Sequence, residues 1–258
     1  MPLTSGIYYY ENGGHWERPA VILLHGAGGN NLSWPPEIRR LPDQRIYALD
    51  LPGHGKSEGI GRQSIADYAR CVLDFLDALK IQKAIFVGHS MGGAVALWLG
   101  IHNPSRVLGL GLLSTAPRLR VSPILLSSSS VEATLPLAVK TTLDLAFGPQ
   151  TDPRVKELTA QRMSEIRYPV LYGDFMACDA FDETSLQGRA SKSPTLIICG
   201  SEDKMTPPPY SQMMHQRLKK SALHIVEGAG HMVMLEQPQA VAKILQLFLN
   251  SISYQPGG

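Results

Sequence analysis

Short, predominantly apolar runs recur along the chain. They are Ala20-Val21-Ile22-Leu23-Leu24, Arg45-Ile46-Tyr47-Ala48-Leu49, Ala84-Ile85-Phe86-Val87, the stretch from Arg106 to Leu113, and Pro194-Thr195-Leu196-Ile197-Ile198-Cys199. Runs with no polar alternation are what strands buried on both faces of a parallel sheet require. A further strand is predicted at Ala222-Leu223-His224-Ile225-Val226. Between these runs the period changes to that of a helix. Ser64 with Asp67 makes a capping-box-like start, and Ile65, Tyr68, Ala69, Val72, Phe75, Leu76 and Leu79 mark the buried face that follows. A final helix is predicted from about Gln237 to Leu249. At the N-terminus, Ile7-Tyr8-Tyr9-Tyr10 followed by Asn12-Gly13-Gly14 reads as one arm and the turn of a hairpin. After Pro117 the pattern breaks. Residues 117–190 hold a serine run from Ser127 to Ser130, several prolines and helical stretches at Leu135–Phe147 and Asp152–Ile166, with no buried-strand pattern. Strand–helix alternation interrupted by a helical insertion predicts an α/β fold with a parallel sheet covered on both faces. The expected division is a core of residues 1–116 and 191–258 and an inserted helical segment of residues 117–190.

Composition narrows this picture. A chain of 258 residues with 44% hydrophobic content fits one large α/β domain. The net charge of +2 is built from scattered charges of both signs, so neither nucleic acid nor an anionic membrane is expected as a partner. Arg39-Arg40 and Lys219-Lys220 read as solvated helix faces. Cys71, Cys178 and Cys199 are odd in number and far apart, which argues against a disulfide framework or a zinc site. Cys71 and Cys199 lie in apolar contexts and read as small core residues. Met1–Gly6 lacks the basic and apolar regions of a signal peptide, and no apolar run reaches the roughly 18 residues of a membrane span. A soluble cytoplasmic protein is the resulting expectation.

The candidate chemistry centres on Gly88-His89-Ser90-Met91-Gly92, which lies between an apolar run and the small-residue helical pattern Gly93–Trp98. Gly-x-Ser-x-Gly in a strand–turn–helix context is the nucleophile elbow, in which flanking glycines permit a sharp turn and an exposed serine. A serine nucleophile needs an adjacent base, and the base an orienting acid. Asp203, in Gly200-Ser201-Glu202-Asp203, and His231, in Glu227-Gly228-Ala229-Gly230-His231, each follow a predicted strand and lie downstream of Ser90 in the order acid, then histidine. Glu202 and Asp50 are competing carboxylates. Among the other histidines, His89 belongs to the elbow, His25 to a glycine loop and His54 to a turn, while His15, His102, His215 and His224 lack such a context. The N–H of Met91, just after the serine, and that of Ala27, in His25-Gly26-Ala27-Gly28-Gly29, are the candidate oxyanion donors.

Together these segments resemble the α/β-hydrolase-fold superfamily over nearly the whole chain, in its serine esterase and lipase-like branch. Asp50-Leu51-Pro52-Gly53-His54-Gly55-Lys56-Ser57 adds a further matching segment. The resemblance implies a mostly parallel, eight-stranded sheet, a helical cap inserted after the sixth strand at 117–190, and a serine-hydrolase mechanism with no cofactor and no metal. Relatives with an aspartate nucleophile are set aside by Ser90. Relatives with the acid after the sixth strand are set aside by Leu113-Ser114-Thr115-Ala116, which holds no carboxylate. The implied activity is hydrolysis of a small-molecule carboxylic ester with a small to medium acyl group, by a monomer or homodimer. C–C bond hydrolysis or lyase chemistry, lactone hydrolysis, haloperoxidase-like peracid formation and a ligand-receptor role share the same motifs. Expected substrate contacts are His25, Phe147, Met163, Tyr172, Met176 and Met232, with Leu137, Tyr168 and Phe175 as further apolar candidates.

Overall fold

In the computed structural model, which describes residues 2–15, 17–184 and 192–253, the apolar runs assemble into one eight-stranded sheet. Its strands are β1 (Leu3–Thr4), β2 (Ile7–Glu11), β3 (Ala20–Leu24), β4 (Arg45–Leu49), β5 (Ala84–His89), β6 (Val107–Leu113), β7 (Thr195–Gly200) and β8 (Ser221–Val226). They lie in the order β1-β2-β4-β3-β5-β6-β7-β8. β2 is antiparallel to both β1 and β4, and the remaining pairs are parallel. The helices are α1 (Pro36–Arg39), α2 (Ile65–Ala78), α3 (Met91–His102), α4 (Pro123–Ser129), α5 (Leu135–Ala146), α6 (Pro153–Ser164), α7 (Tyr168–Ala180), α8 (Pro208–Arg217), α9 (Val233–Glu236) and α10 (Pro238–Ser251).

Two apolar cores explain why the strand runs are uninterrupted. Alternate residues of a strand face opposite ways. In β3, Ala20, Ile22 and Leu24 join a core with α2, α3 and α8. Val21 and Leu23 join a second core with α1, α9 and α10 on the other face. The same split divides Tyr47 and Leu49 from Ile46 and Ala48 in β4, and Ala84 and Phe86 from Ile85 and Val87 in β5. Each fully buried Ile, Leu or Val contributes about 1.5–3 kcal/mol of apolar transfer free energy.

The predicted start of α2 holds as an N-cap: the Ser64 hydroxyl accepts from the Asp67 N–H at 3.1 Å. The predicted hairpin does not. The tight turn is at Ser5-Gly6, both at positive φ (50° and 73°), and joins β1 to β2. Asn12 instead ties the chain beyond β2 to β4, its Oδ1 accepting from Ile46 N–H at 3.0 Å. Arg39 is no solvated helix face: its Nε donates to the Trp34 carbonyl at 2.7 Å, and its guanidinium lies 4.8 Å from the centre of the Tyr10 ring. Lys219 and Lys220 are exposed, but in the turn between α8 and β8. Cys199 and Cys178 are buried, whereas Cys71 is half-buried on α2; all three are free thiols.

Among the described residues between β6 and β7 stand four α-helices, α4 to α7, of which α5 and α6 match the predicted stretches. The serine run closes α4, with Ser128 and Ser129 hydroxyls donating back to the Ile124 and Leu125 carbonyls at 2.6 and 2.7 Å. The end of the expected insertion, 185–190, lies outside the described residues. No described helix is long and apolar enough to cross a membrane.

The joint between β3, β5 and α3 is tight enough to exclude any side chain. A Cβ on Gly92 would stand 2.2 Å from the Leu24 carbonyl oxygen, and one on Gly88 would stand 2.0 Å from the Gly92 carbonyl oxygen. Both obstacles are backbone, so neither can swing away. Gly92→Ala is expected to destabilise the protein by about 3 kcal/mol or more in urea unfolding, as severe overpacking does. Gly13→Ala, with open space around the added methyl but a φ of 62°, is expected to lose only about 1 kcal/mol. Equal stability losses in the two variants would contradict this account of the joint.

Candidate active site

Ser90 occupies the sharp turn between β5 and α3 with φ 52° and ψ −116°. Such a conformation costs an L-residue about 1–3 kcal/mol and persists only where neighbours impose it. Here the Ser90 N–H donates to the Leu113 carbonyl at 2.9 Å. Its own carbonyl accepts from the Thr115 hydroxyl at 2.9 Å and from Ala94 N–H at 3.0 Å. The residue is therefore pinned on both sides while its side chain remains at the edge of the sheet.

Asp203 follows β7 and His231 follows β8, so both reach the same carboxyl edge of the sheet as Ser90. The His231 Nδ1 lies 3.1 and 3.0 Å from the two Asp203 carboxylate oxygens, and both side chains are buried. Asp203 also accepts from Met205 N–H and Thr206 N–H at 2.9 Å each and from the Thr206 hydroxyl at 2.8 Å. Burial alone would raise its carboxyl. The His231 charge, the His231 hydrogen bond and the Thr206 bonds outweigh burial and hold it at about 2. The two competing carboxylates are placed elsewhere. Asp50 is spent on the N–H and side-chain amide of Asn31 (2.6 and 2.8 Å) and on Lys56 N–H (2.8 Å), and Glu202 is exposed.

The loop that carries His231 is anchored from two directions. His231 N–H and Met232 N–H both donate to the Ala146 carbonyl at the end of α5, at 2.8 and 3.2 Å. His89 Nε2 donates to the His231 carbonyl at 3.0 Å. Burial, followed by the neighbouring His231, lowers the His89 imidazole to about 3, so its other ring nitrogen carries no proton. The sequence offered no sign of this bracing role of the elbow histidine.

Ala27 lies beside Ser90, and no acceptor for its N–H or for that of Met91 occurs among the described residues. Met91 is the first residue of α3, where the helix dipole also favours negative charge. The plane of the Gly26–Ala27 peptide is fixed from behind. The Gly26 carbonyl accepts from Gly29 N–H at 3.0 Å and from His25 Nδ1 at 2.8 Å, while His25 Nε2 accepts from Leu51 N–H at 2.9 Å. The peptide is trans, so the Ala27 N–H points opposite to that carbonyl. His25, expected to touch substrate, is thus wholly buried with both nitrogens engaged. Burial and the neighbouring His54 lower it well below the usual histidine value and keep it neutral.

Two adjoining cavities open beside Ser90, of about 70 and 220 Å³, sharing Ala27, Ser90, Phe175, Met205 and His231 in their walls. The smaller is closed by Leu143, Met163, Met232 and Leu235; the larger by Leu119, Val121, Leu125 and Tyr210. Of the expected substrate contacts, Met163, Met232 and Phe175 line these walls. Phe147 is buried elsewhere and Tyr172 half-buried elsewhere, Met176 and Leu137 are exposed, and Tyr168 lines neither cavity. A side chain on a packed helix can face the core, solvent or cavity, and apolarity alone does not separate the three. No described group of three or more His, Cys, Asp or Glu side chains is placed to hold a metal ion.

Known proteins match this architecture closely. A 3-oxoadipate enol-lactonase of Acinetobacter baylyi is 31% identical, over 91% of this chain and 90% of its own. A monoacylglycerol lipase of Bos taurus is 28% identical, over 91% of this chain and 76% of its own. A solved structure of a thermophilic esterase superposes with a TM-score of 0.81 at 32% identity, over 96% of this chain and 99% of that one. The family profile described as the alpha/beta hydrolase fold matches residues 19–238. With that match, the eight-stranded sheet and the serine turn at its carboxyl edge, this chain belongs to the alpha/beta hydrolase fold family.

Proposed function

We propose that the protein hydrolyses carboxylic esters through a Ser90–His231–Asp203 triad. The observation that carries this reading is the buried Asp203 carboxylate 3.0 Å from His231 Nδ1, at the sheet edge where Ser90 is held at φ 52°. With Nδ1–H donated to Asp203, the unprotonated Nε2 is the basic nitrogen. Ser90 Oγ attacks the ester carbonyl carbon as its proton passes to Nε2, and the Met91 and Ala27 N–H groups receive the developing oxyanion. The tetrahedral adduct collapses, the imidazolium proton goes to the departing alkoxide, and the alcohol leaves an acyl group on Ser90. Water, deprotonated by Nε2, attacks that acyl carbon, and the second collapse returns the proton to Ser90 and releases the acid. Asp203 keeps its negative charge throughout.

In this reading residues 117–190 form a cap whose Met163 and Phe175 close the cavity over Ser90, and a small to medium acyl group occupies one lobe. A lactone is an internal ester and undergoes the same steps. The enol-lactonase among the relatives makes lactones a natural second substrate class for this site.

Ser90→Ala is expected to lower kcat on short p-nitrophenyl esters by about 10⁴-fold or more while leaving thermal unfolding close to wild type. A variant retaining more than a tenth of wild-type kcat would contradict the scheme. The low Asp203 value makes a second prediction. Asp203 stays ionised down to about pH 2, so the acid limb of kcat/KM is expected to follow loss of one proton-accepting group, with a limiting slope of one. A slope of two would show that Asp203 titrates with it. The sign for stability follows from the same depression. The contribution is complete above the ordinary value of 3.8 and is lost as pH falls through about 2. The stability advantage of wild type over Asp203→Asn is therefore expected to shrink, by on the order of 2 kcal/mol, between pH 5 and pH 2.

A further inference from the structure

The mechanism leaves one buried charged cluster unused. Asp174, on the inner side of α7, is fully buried. Its Oδ2 accepts from Gly28 N–H at 2.9 Å and from His54 Nε2 at 2.8 Å, and its Oδ1 accepts from the Tyr68 hydroxyl at 2.5 Å. One carboxylate thus joins three separate parts of the chain to α7. These are the Gly26–Gly29 loop after β3, the turn after β4, and the buried face of α2. His54 is buried too, and its Nδ1 faces the Pro52 carbonyl at 3.1 Å. Both ring nitrogens face acceptors only, so both must donate, which makes His54 an imidazolium paired with Asp174. Burial opposes that charge, but the Asp174 charge and hydrogen bond outweigh it and raise the histidine. An ion pair buried this deeply is a poor source of stability, because desolvation offsets most of the attraction. Its geometric effect is clearer.

Gly28 follows Ala27 and stands at φ 68°. Its N–H and the Ala27 carbonyl belong to one peptide plane, and the preceding plane, which holds the Ala27 N–H, is fixed by His25 at the Gly26 carbonyl. Asp174 and His25 therefore fix the two peptide planes on either side of the Ala27 α-carbon. Packing seals the contact: a Cβ on Gly28 would meet Leu171 of α7 and Met163 of α6 at 3.0 Å each.

We propose that Asp174, paired with His54, is a positioning residue that reaches from α7 into the core and holds the Gly26–Gly29 loop so that the Ala27 N–H faces the oxyanion. The inserted helices then complete the oxyanion site as well as covering it. This rests on the ester-hydrolase reading, and the test separates the two.

Asp174→Ala strands a buried imidazolium and is expected to fold poorly. The informative variant is the double substitution His54→Leu/Asp174→Leu, which removes both charges together and leaves Gly28 N–H and the Tyr68 hydroxyl without their acceptor. In this folded double variant kcat is expected to fall about 10–100-fold with KM within about threefold, because misaimed oxyanion donors weaken only the transition state. The inhibition constant of an alkylboronic acid, which forms a tetrahedral adduct on the serine, is expected to rise by the same factor. His54→Gln/Asp174→Asn removes both charges but keeps a carbonyl oxygen for Gly28 N–H, and is expected to stay within about fivefold of wild type in both readouts. A merely structural role would lower Tm and leave kcat and the boronate constant unchanged well below Tm. A folded His54→Leu/Asp174→Leu variant with both within about threefold of wild type would overturn the proposal. Hydrogen exchange at Gly28 gives a readout that needs no turnover. Its amide is expected to be protected in wild type and to exchange much faster in the His54→Leu/Asp174→Leu variant, and equal protection would also overturn the proposal. A wild type that hydrolyses no ester defeats the hydrolase reading instead, and the exchange comparison then decides the clamp alone.

Discussion

Everything at the candidate site depends on how closely the end of β5 approaches the start of α3. At Gly88 and Gly92 the backbones of β3, β5 and α3 meet with no room for a Cβ. That contact turns the chain within one residue and leaves Ser90 at a positive φ with its side chain free. The cost of this conformation is offset by bonds that reach across the sheet, from Ser90 N–H to Leu113 and from the Thr115 hydroxyl back to Ser90. The parallel sheet supplies the rest of the geometry. Because β5, β7 and β8 run the same way, the residues just after each of them emerge along one edge. Ser90, Asp203 and His231 converge there although they are far apart in the chain.

The parts of this design legible in the sequence are those where one physical constraint dominates. Strands buried on both faces must be apolar throughout, so β3 to β7 read as uninterrupted runs. Asp203 and His231 were singled out by position, Asp203 after the fully buried β7 and His231 after β8, whose exposure alternates, and the fold brings their side chains within 3.0 Å. Helix α7 was hidden for the opposite reason. It is buried on nearly all sides, from Val170 and Leu171 through Gly173, Phe175, Ala177 and Cys178, so it shows no polar face and no clean helical period. The N-terminal turn was misplaced because Asn12-Gly13-Gly14 has turn chemistry as strong as that of Ser5-Gly6. Only the pairing of β2 with β4 decides between them. His25 looked like a ligand contact because it adjoins a glycine loop; its bond to Leu51, 26 residues away, is a long-range fact with no local pattern.

The inserted helices are bound into the site through backbone as well as side chains. The Ala146 carbonyl at the end of α5 receives the N–H groups of His231 and Met232. Glu236 of α9 bridges Gly148 N–H and Gly230 N–H at 2.9 and 3.0 Å. Asp174 of α7 reaches the glycine loop on the other side of Ser90. The histidine loop and the glycine loop are thus each held by a different inserted helix. Under the proposed function, substitutions in α5 and α7 can therefore change chemistry without touching substrate.

Ester cleavage by this site requires that Ser90 become covalently acylated. Intact-protein and peptide mass spectrometry after brief exposure to an alkyl fluorophosphonate tests it most directly. One adduct per chain is expected, located on the peptide containing Gly88–Gly92, forming in parallel with loss of esterase activity and absent from Ser90→Ala. Complete inactivation with the adduct on another residue, or full activity with Ser90 stoichiometrically modified, would contradict it.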